Sequence, residues 1–164
     1  MNGYYLSVTV HVFAAILWLG GMFFLAVVGA PVLRGIPDAG LRRDLFRDLG
    51  ERFRRVGWAT IAVLVVTGTT NLAYRGMLSW SVLGDPAFWG TSYGTALAWK
   101  LGSVAVMLLI QAYHDFVLGP ASSSLDPGSG GAARVRRRAA LAARVTALVG
   151  VVLVIAAVRL ARGG

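Results

Sequence analysis

The sequence predicts an all-α fold, an integral membrane four-helix up-and-down bundle with the N and C termini outside. Two observations lead to this prediction. The 164 residues are 57% hydrophobic and only 14% charged, whereas a soluble domain of this length needs more charge to cover its surface. The apolar residues also form four long blocks, and about 20 mostly apolar residues make a helix that spans a bilayer. Helices satisfy their backbone hydrogen bonds internally, as lipid requires.

Composition also excludes several classes of protein. A soluble enzyme and a disordered tail do not fit so apolar a chain. The absence of cysteine excludes disulfides, thiolate metal sites, iron–sulfur clusters and cysteine nucleophiles. A net charge of +9 would suggest nucleic acid in a soluble protein. Here the basic residues concentrate in two loops, which membrane topology explains better, so we expect the lipid bilayer as partner and no nucleic acid.

The four apolar blocks define the expected spans. They cover residues 5–33, 56–74, 95–118 and 141–160. The third ends at Gly119-Pro120, which is a strong stop signal for a helix. We therefore expect residues 1–164 to form a single four-helix transmembrane domain, and no convincing internal repeat is visible in the sequence.

Two connecting segments have patterns of their own. Within residues 38–55, the residues Leu41, Leu45 and Leu49 recur every fourth position. This spacing predicts an amphipathic helix that lies on the inner interface or extends the second span into the cytoplasm. Residues 121–133 are rich in serine and glycine and are expected to form a flexible linker.

Charge asymmetry between the loops predicts the orientation. The loops between the first and second spans and between the third and fourth spans are rich in arginine. The loop between the second and third is aromatic, with Arg75 and Asp85 as its charges. The positive-inside rule puts both arginine-rich loops in the cytoplasm and both termini outside. We expect a multi-pass protein of the bacterial cytoplasmic membrane.

Ionisable and amide groups inside a bilayer are costly and are functional candidates by default. His11, Thr67, Asn71 and Lys100 all fall in the outer half of the predicted bundle. At 1.5 Å per residue, His114 lies about 21 Å deeper than Lys100. His11 and His114 are therefore not expected to share one metal ion within a subunit.

Helical spacing places further residues on the same faces as these groups. Trp18 and Met22 share the face of His11, and Met107 and His114 share the face of Lys100. The structural interpretation is bundle packing, with His114 and Asp115 at a solvated helix end. His11 either hydrogen-bonds a neighbouring helix or binds a metal or haem, and imidazole is the commonest protein ligand for such ions.

Several motifs together resemble the copper resistance D (CopD) family of inner-membrane proteins, which is associated with copper uptake or resistance. The resemblance covers residues 11–100, and the fourth span is matched by hydropathy alone. The motifs are His11 followed by LWLGG at 17–21, RFRR at 52–55, Thr67-Gly68 with Asn71, and GTSYG at 90–94 with Leu97 and Lys100.

A weaker resemblance links the chain to the HemJ type of protoporphyrinogen oxidase, another small helical membrane protein. That family has a histidine on its first helix and a lysine early on its third, associated with haem b. His11, Lys100 and the pair Tyr113-His114 look similar. The remaining segments do not match, so the oxidase activity is not implied and no enzymatic activity is assigned.

Three functions follow as hypotheses. The leading one is a haem b-binding redox membrane protein with His11 as axial ligand. In it, a homodimer covers the haem, and a respiratory or periplasmic protein is its redox partner. The other residues expected at the cofactor are Lys100, Asn71, Thr67, Trp18, Tyr93 and Arg75.

The first alternative is a copper uptake or resistance protein. Its ligands would be His11, Met22, Met107 and His114. Copper(I) prefers soft ligands, and four scattered methionines make a sparse pathway. The second alternative is a non-catalytic membrane subunit of a respiratory complex.

Overall fold

The computed structural model describes residues 2–119, 121 and 129–163. Within these residues all regular structure is helical, which confirms the predicted all-α class. Four helical stretches in this part of the chain are long and apolar enough to cross a membrane: Gly3–Arg34, Ala39–Tyr74, Ser92–Leu118 and Gly130–Ala161. The chain divides into two compact units, unit 1 (residues 1–83) and unit 2 (residues 84–164).

Unit 1 is a hairpin of two long helical stretches. Helix α1 (Gly3–Phe24) continues through a π-helical turn (Leu25–Gly29) into the short helix α2 (Ala30–Arg34), and helix α3 (Ala39–Tyr74) returns alongside it. A one-turn helix, α4 (Trp80–Leu83), follows.

The π-helical turn in unit 1 has a local cause. Pro31 lacks a backbone N–H, and its ring would clash with the carbonyl four residues earlier in a regular α-helix. The chain widens just before it, and the Ala30 N–H donates to the carbonyl of Leu25, five residues back. The helix therefore passes the proline without breaking.

Helix α3 begins well before the apolar span that it carries. Its N-cap is Asp38, whose carboxylate accepts the Leu41 N–H at 2.8 Å. The amphipathic segment 38–55 is thus continuous with the second span and extends it, one of the two arrangements expected. The helix ends before Gly76, whose φ of 68° is a left-handed conformation that favours glycine.

Small residues bring α1 and α3 together. A Cβ atom added at Gly21 would lie 2.7 Å from Phe53 Cε2, and one at Gly57 would lie 4.0 Å from Trp18 Cδ1. Glycines let helices approach closely in lipid, where packing replaces the hydrophobic effect as the driving force. These contacts fix an antiparallel register in which the start of α1 meets the end of α3.

Unit 2 is also a helical hairpin, preceded by a short helix. Helix α5 (Pro86–Gly90) leads into α6 (Ser92–Tyr113), which ends in a π-helical turn (His114–Leu118). Helix α7 (Gly130–Ala161) packs along α6. Of the expected linker 121–133, residues 122–128 lie outside the described residues.

Helix α7 starts earlier than the sequence predicts. Ser129 caps it by accepting the Ala132 N–H at 3.2 Å, so the helix begins at Gly130 and not at Leu141. The end of the expected linker is therefore helical, and Arg134, Arg137 and Arg138 lie on the first turns of α7.

The outer surfaces of the long helices are apolar. Phe13 is 68% exposed and Leu109 is 71% exposed. Such surfaces are unfavourable in water and match the hydrocarbon core of a bilayer. The chain is therefore a multi-pass membrane protein.

Candidate metal site

His11 lies on the face of α1 that packs against α3. Its Nδ1 atom is 2.8 Å from the hydroxyl oxygen of Thr67. The Thr67 hydroxyl is also 2.7 Å from the carbonyl oxygen of Val63, one turn earlier on α3. The Val63 carbonyl can only accept, so the single hydroxyl proton of Thr67 is in position to be donated to it.

One tautomer of His11 satisfies both contacts of the Thr67 hydroxyl. When this hydroxyl donates to Val63, it accepts from His11, whose Nδ1 then carries hydrogen. In the neutral ring the lone pair is then on Nε2. Metal-binding histidines commonly donate the other ring N–H to such a partner, which fixes the ring orientation.

Gly68 lets the imidazole approach α3. A Cβ atom added at Gly68 would lie 3.3 Å from His11 Cε1 and 3.8 Å from Nδ1. A side chain at position 68 would crowd Cε1 of His11, the ring atom between the two nitrogens. The Thr67-Gly68 pair thus supplies both the hydrogen-bond acceptor and the space for His11.

Two more polar groups surround this contact. The Ser7 hydroxyl, one turn before His11, donates to the Thr67 carbonyl at 3.4 Å. Asn71 lies one turn beyond Thr67, and its Oδ1 atom is buried without a hydrogen-bond partner. Buried acceptors are almost always satisfied, so this oxygen marks a place where a donor or a cation would be stabilised.

The other predicted residues of unit 1 lie along the same hairpin. Trp18 is only 3% exposed and packs against Gly57, and its buried Nε1 has no acceptor. Met22 is half-buried. Arg75, just after α3, donates from Nε to the Tyr4 hydroxyl at 3.0 Å. The structure thus brings His11 and Thr67 into contact, whereas Trp18, Met22 and Arg75 lie elsewhere on the hairpin.

Unit 2 carries the other predicted site residues. Lys100 and Tyr93 are half-buried on α6, and the Tyr93 ring lies 6.4 Å from that of Phe88. Met107 is 1% exposed, so its thioether is enclosed by packing.

An open groove of about 530 Å³ in unit 2 is mostly apolar, and its walls contain no histidine, methionine or lysine. It therefore offers no axial ligand for a haem. Its lining includes Trp89, Trp99, Ser103 and Val149.

A second polar cluster lies at the end of α6. Asp115 is buried, and its two carboxylate oxygens accept from Gln111 Nε2 at 2.8 Å and from His114 Nδ1 at 3.2 Å. The His114 side chain itself is 56% exposed. The His114 side chain is thus exposed, whereas the burial of Asp115 contradicts the solvated helix end expected for it. The i, i+4 spacing of Gln111 and Asp115 is the sequence signal for this contact.

The histidine and carboxylate side chains do not form a conventional metal cage. Within the described residues, no group of three or more His, Asp or Glu side chains is positioned to hold an ion. The Thr67-supported imidazole of His11, with the amide oxygen of Asn71 on the adjoining helix, is the arrangement in unit 1 with donor atoms suited to a metal.

Comparison with known proteins gives a family and a relative. The family model for copper resistance protein D (CopD) matches residues 47–160. That match includes the fourth span and begins after His11, whereas the motifs seen in the sequence cover residues 11–100. The resemblance to HemJ is not supported by these comparisons.

An uncharacterized protein of Aquifex aeolicus (strain VF5) is 31% identical over 110 residues. The alignment covers 66% of this chain and 66% of that protein. No solved structure shows significant similarity to the chain.

Proposed function

The chain belongs to the copper resistance protein D (CopD) family, and from that premise we propose that it handles copper in the bacterial cytoplasmic membrane. Its cargo, a copper ion, binds at His11 in unit 1. This is the first alternative of the sequence analysis and replaces haem as the leading interpretation, because the family description names copper.

The hydrogen bond between His11 and Thr67 carries this proposal. Both contacts of the Thr67 hydroxyl are satisfied by the tautomer in which Nε2 has the lone pair, and Gly68 leaves space for the ring in that position. A histidine that binds a metal gains affinity from a partner on its other nitrogen.

The neighbouring donor atoms favour oxidised copper. Imidazole nitrogen and amide oxygen are suited to copper(II), whereas copper(I) prefers thiolates and thioethers. Met22 is eleven residues after His11 on α1, about 16 Å along the helix axis. Its thioether is therefore too distant to complete the coordination of an ion at His11, and Asn71 Oδ1 is the better candidate.

Haem binding has less support from the residues. Trp18, which was expected beside the haem, is 3% exposed and packs against Gly57, not along an open cleft. The copper-binding experiment described below distinguishes copper binding from two other functions. One is haem b binding with a redox partner, and the other is a packing role in a respiratory complex.

A homodimer belongs to the proposal as well. In unit 1, the Cβ position of Gly21 is taken up by contact with Phe53 and that of Gly68 by contact with His11, both within the same hairpin. Gly20 has nothing near its Cβ position and so remains for contact with a second subunit. The molecular mass of the detergent-solubilised protein, corrected for bound detergent, tests this interface.

The test of the copper site compares purified wild type with His11→Ala and His114→Ala. Copper bound per chain is measured by mass spectrometry after equilibration with copper(II), and each visible spectrum is recorded. We expect one copper ion per chain in the wild type, its loss in His11→Ala, and retention in His114→Ala, because His114 is expected near the inner end of its span, about 21 Å deeper than Lys100.

Each other result selects a different function. A Soret band in the wild type that disappears in His11→Ala indicates haem. Equal loss of copper in both variants contradicts a site in unit 1 alone. A protein that binds neither copper nor haem is a structural subunit, with His11 as a packing residue.

A further inference from the structure

The first long helix of each unit, together with the π-helical turn that follows it, recurs at a constant offset in sequence. Helix α1 starts at Gly3 and helix α6 at Ser92, an offset of 89 residues. Both helices have 22 residues and both pass into a five-residue π-helical turn. The same offset relates Pro31 to Pro120, so a proline follows each π-helical turn at the same distance.

The burial of side chains follows the same offset. Residues 11–20 and 100–109 have the same sequence of buried, half-buried and exposed positions. Ala14 and its counterpart Ser103 are 8% and 7% exposed. Trp18 and its counterpart Met107 are 3% and 1% exposed. The two first helices therefore present the same face to their second helices.

The second helices agree as well. At the offset of 89, Arg55-Val56 corresponds to Arg144-Val145 and VLV at 63–65 corresponds to VLV at 152–154. Helices α3 and α7 also each end at an Arg-Gly pair whose glycine has a positive φ, 68° at Gly76 and 98° at Gly163, although these glycines are 87 and not 89 residues apart. Few other positions are identical, which explains why the sequence shows no evident repeat.

We infer that the chain consists of two copies of one helical hairpin, and that Lys100 occupies the counterpart of the His11 metal position. The ligand in this inference rests on the proposed function. At the same offset Thr67 corresponds to Ala156, which is 4% exposed, and Gly68 corresponds to Ala157. Unit 2 thus lacks both the hydroxyl that orients the imidazole and the space beside it.

The exchange of histidine for lysine closes the second site to copper. An ammonium group has three donors and no lone pair, and its positive charge repels a metal cation. One copper ion per chain therefore binds to unit 1, although the fold provides two equivalent positions. Restoring the three residues should restore the second site.

The test rebuilds the unit 1 arrangement in unit 2 of the full chain with Lys100→His, Ala156→Thr and Ala157→Gly together. We expect copper per chain to rise from one to two. A readout that does not depend on copper is ¹⁵N NMR of the imidazoles, which should show hydrogen on Nδ1 of the new histidine, as in His11. The matched control combines Lys100→His with Val158→Thr, which puts the hydroxyl on an exposed position of the same helix.

The readouts separate the two proposals. Hydrogen on Nδ1 of the new histidine in the triple variant, but not in the control, supports the repeat. If that result is obtained and neither protein binds copper, the proposed copper function is contradicted while the repeat stands. The same tautomer mixture in both variants contradicts the repeat. A copper stoichiometry that stays at one while His11 remains the wild-type ligand contradicts the second site.

Cysteine cross-linking keeps the inference testable if the triple variant does not fold. The chain contains no cysteine, so introduced pairs are the sole reactive thiols. Lys100→Cys with Ala156→Cys should react with a short bifunctional reagent as efficiently as His11→Cys with Thr67→Cys. Lys100→Cys with Val158→Cys should not, and equal yields from the two unit 2 pairs would overturn the register.

Discussion

The Nδ1 atom of His11 on α1 lies 2.8 Å from the hydroxyl oxygen of Thr67 on α3, which in turn lies 2.7 Å from the carbonyl oxygen of Val63. The neighbouring helix thus orients the histidine and favours the tautomer with hydrogen on Nδ1. The candidate metal site is a property of the hairpin and not of α1 alone, and this relationship gives the first two predictions.

Thr67→Val should weaken copper binding about 10- to 100-fold without removing it, because a lost outer partner typically lowers metal affinity by that factor. Valine keeps the shape and removes the acceptor. Copper(II) titration of the purified protein measures the change. Thr70→Val is the matched control, since Thr70 makes the same bond one turn back, to Val66 at 2.8 Å. Equal affinities in the two variants would exclude a role for the Thr67 hydroxyl.

Gly68→Ala should also reduce copper affinity, since the new methyl would lie 3.3 Å from His11 Cε1 and displace the ring by a few tenths of an ångström. The copper(II) electron paramagnetic resonance spectrum should change with it. A methyl group at position 20 would have no atom within contact distance, so Gly20→Ala should leave both the copper affinity and the spectrum unchanged. An unaltered spectrum in Gly68→Ala would show that the ring does not need this space.

Gly94→Ala should destabilise unit 2. A Cβ atom there would clash with the backbone carbonyl of Phe88, which a rotamer change cannot relieve. We expect a loss of more than about 2 kcal/mol, in the range of overpacking in a tight contact. Thermal unfolding in detergent measures it. Gly102→Ala on the same helix has open space at its Cβ, so a similar melting temperature for both variants would refute the expected clash.

Gln111→Leu should lower stability by about 1–3 kcal/mol, since it removes a donor from the buried carboxylate of Asp115. The loss should be smaller in the double variant Gln111→Leu with Asp115→Asn, which no longer buries a charge. Chemical unfolding in detergent compares the two. If adding Asp115→Asn makes the protein less stable still, the Gln111 contact is not what compensates for the charge.

Reporter fusions after Pro37 and after Gly128 should both report the cytoplasm, with the termini outside. The physical reason is the excess of arginine in the flanking segments, which resists translocation. A fusion in the aromatic loop after Leu83 serves as the opposite control. Periplasmic activity at Pro37 or Gly128 would reverse the depth assigned to His11.

The sequence alone determined the class of the fold and its family. Four apolar blocks long enough to span a bilayer predict four transmembrane helices, because in lipid every backbone polar group must be hydrogen-bonded within its own segment. The CopD motifs were likewise legible in the sequence, although the family match covers residues 47–160 and not the first helix.

The contents of the site required the tertiary structure. The histidine at position 11 was an evident candidate, but its tautomer depends on Thr67, which is 56 residues away in sequence. The burial of Asp115 contradicted the predicted solvated helix end, and the continuation of the segment 38–55 into α3 was one of two arrangements left open. Spacing along one helix gives the face that a side chain shares, and it does not give the group on another helix that this face meets.

The internal repeat was hidden for a related reason. A membrane helix needs only small and apolar residues in the right places, so two copies of one hairpin diverge while burial and turn geometry persist. Gly3–Phe24 and Ser92–Tyr113 have little sequence in common, yet each leads into a π-helical turn, and residues 11–20 and 100–109 follow the same order of burial. Packing against a second helix, and not residue identity, preserved the pattern, and it places Lys100 at the position equivalent to His11.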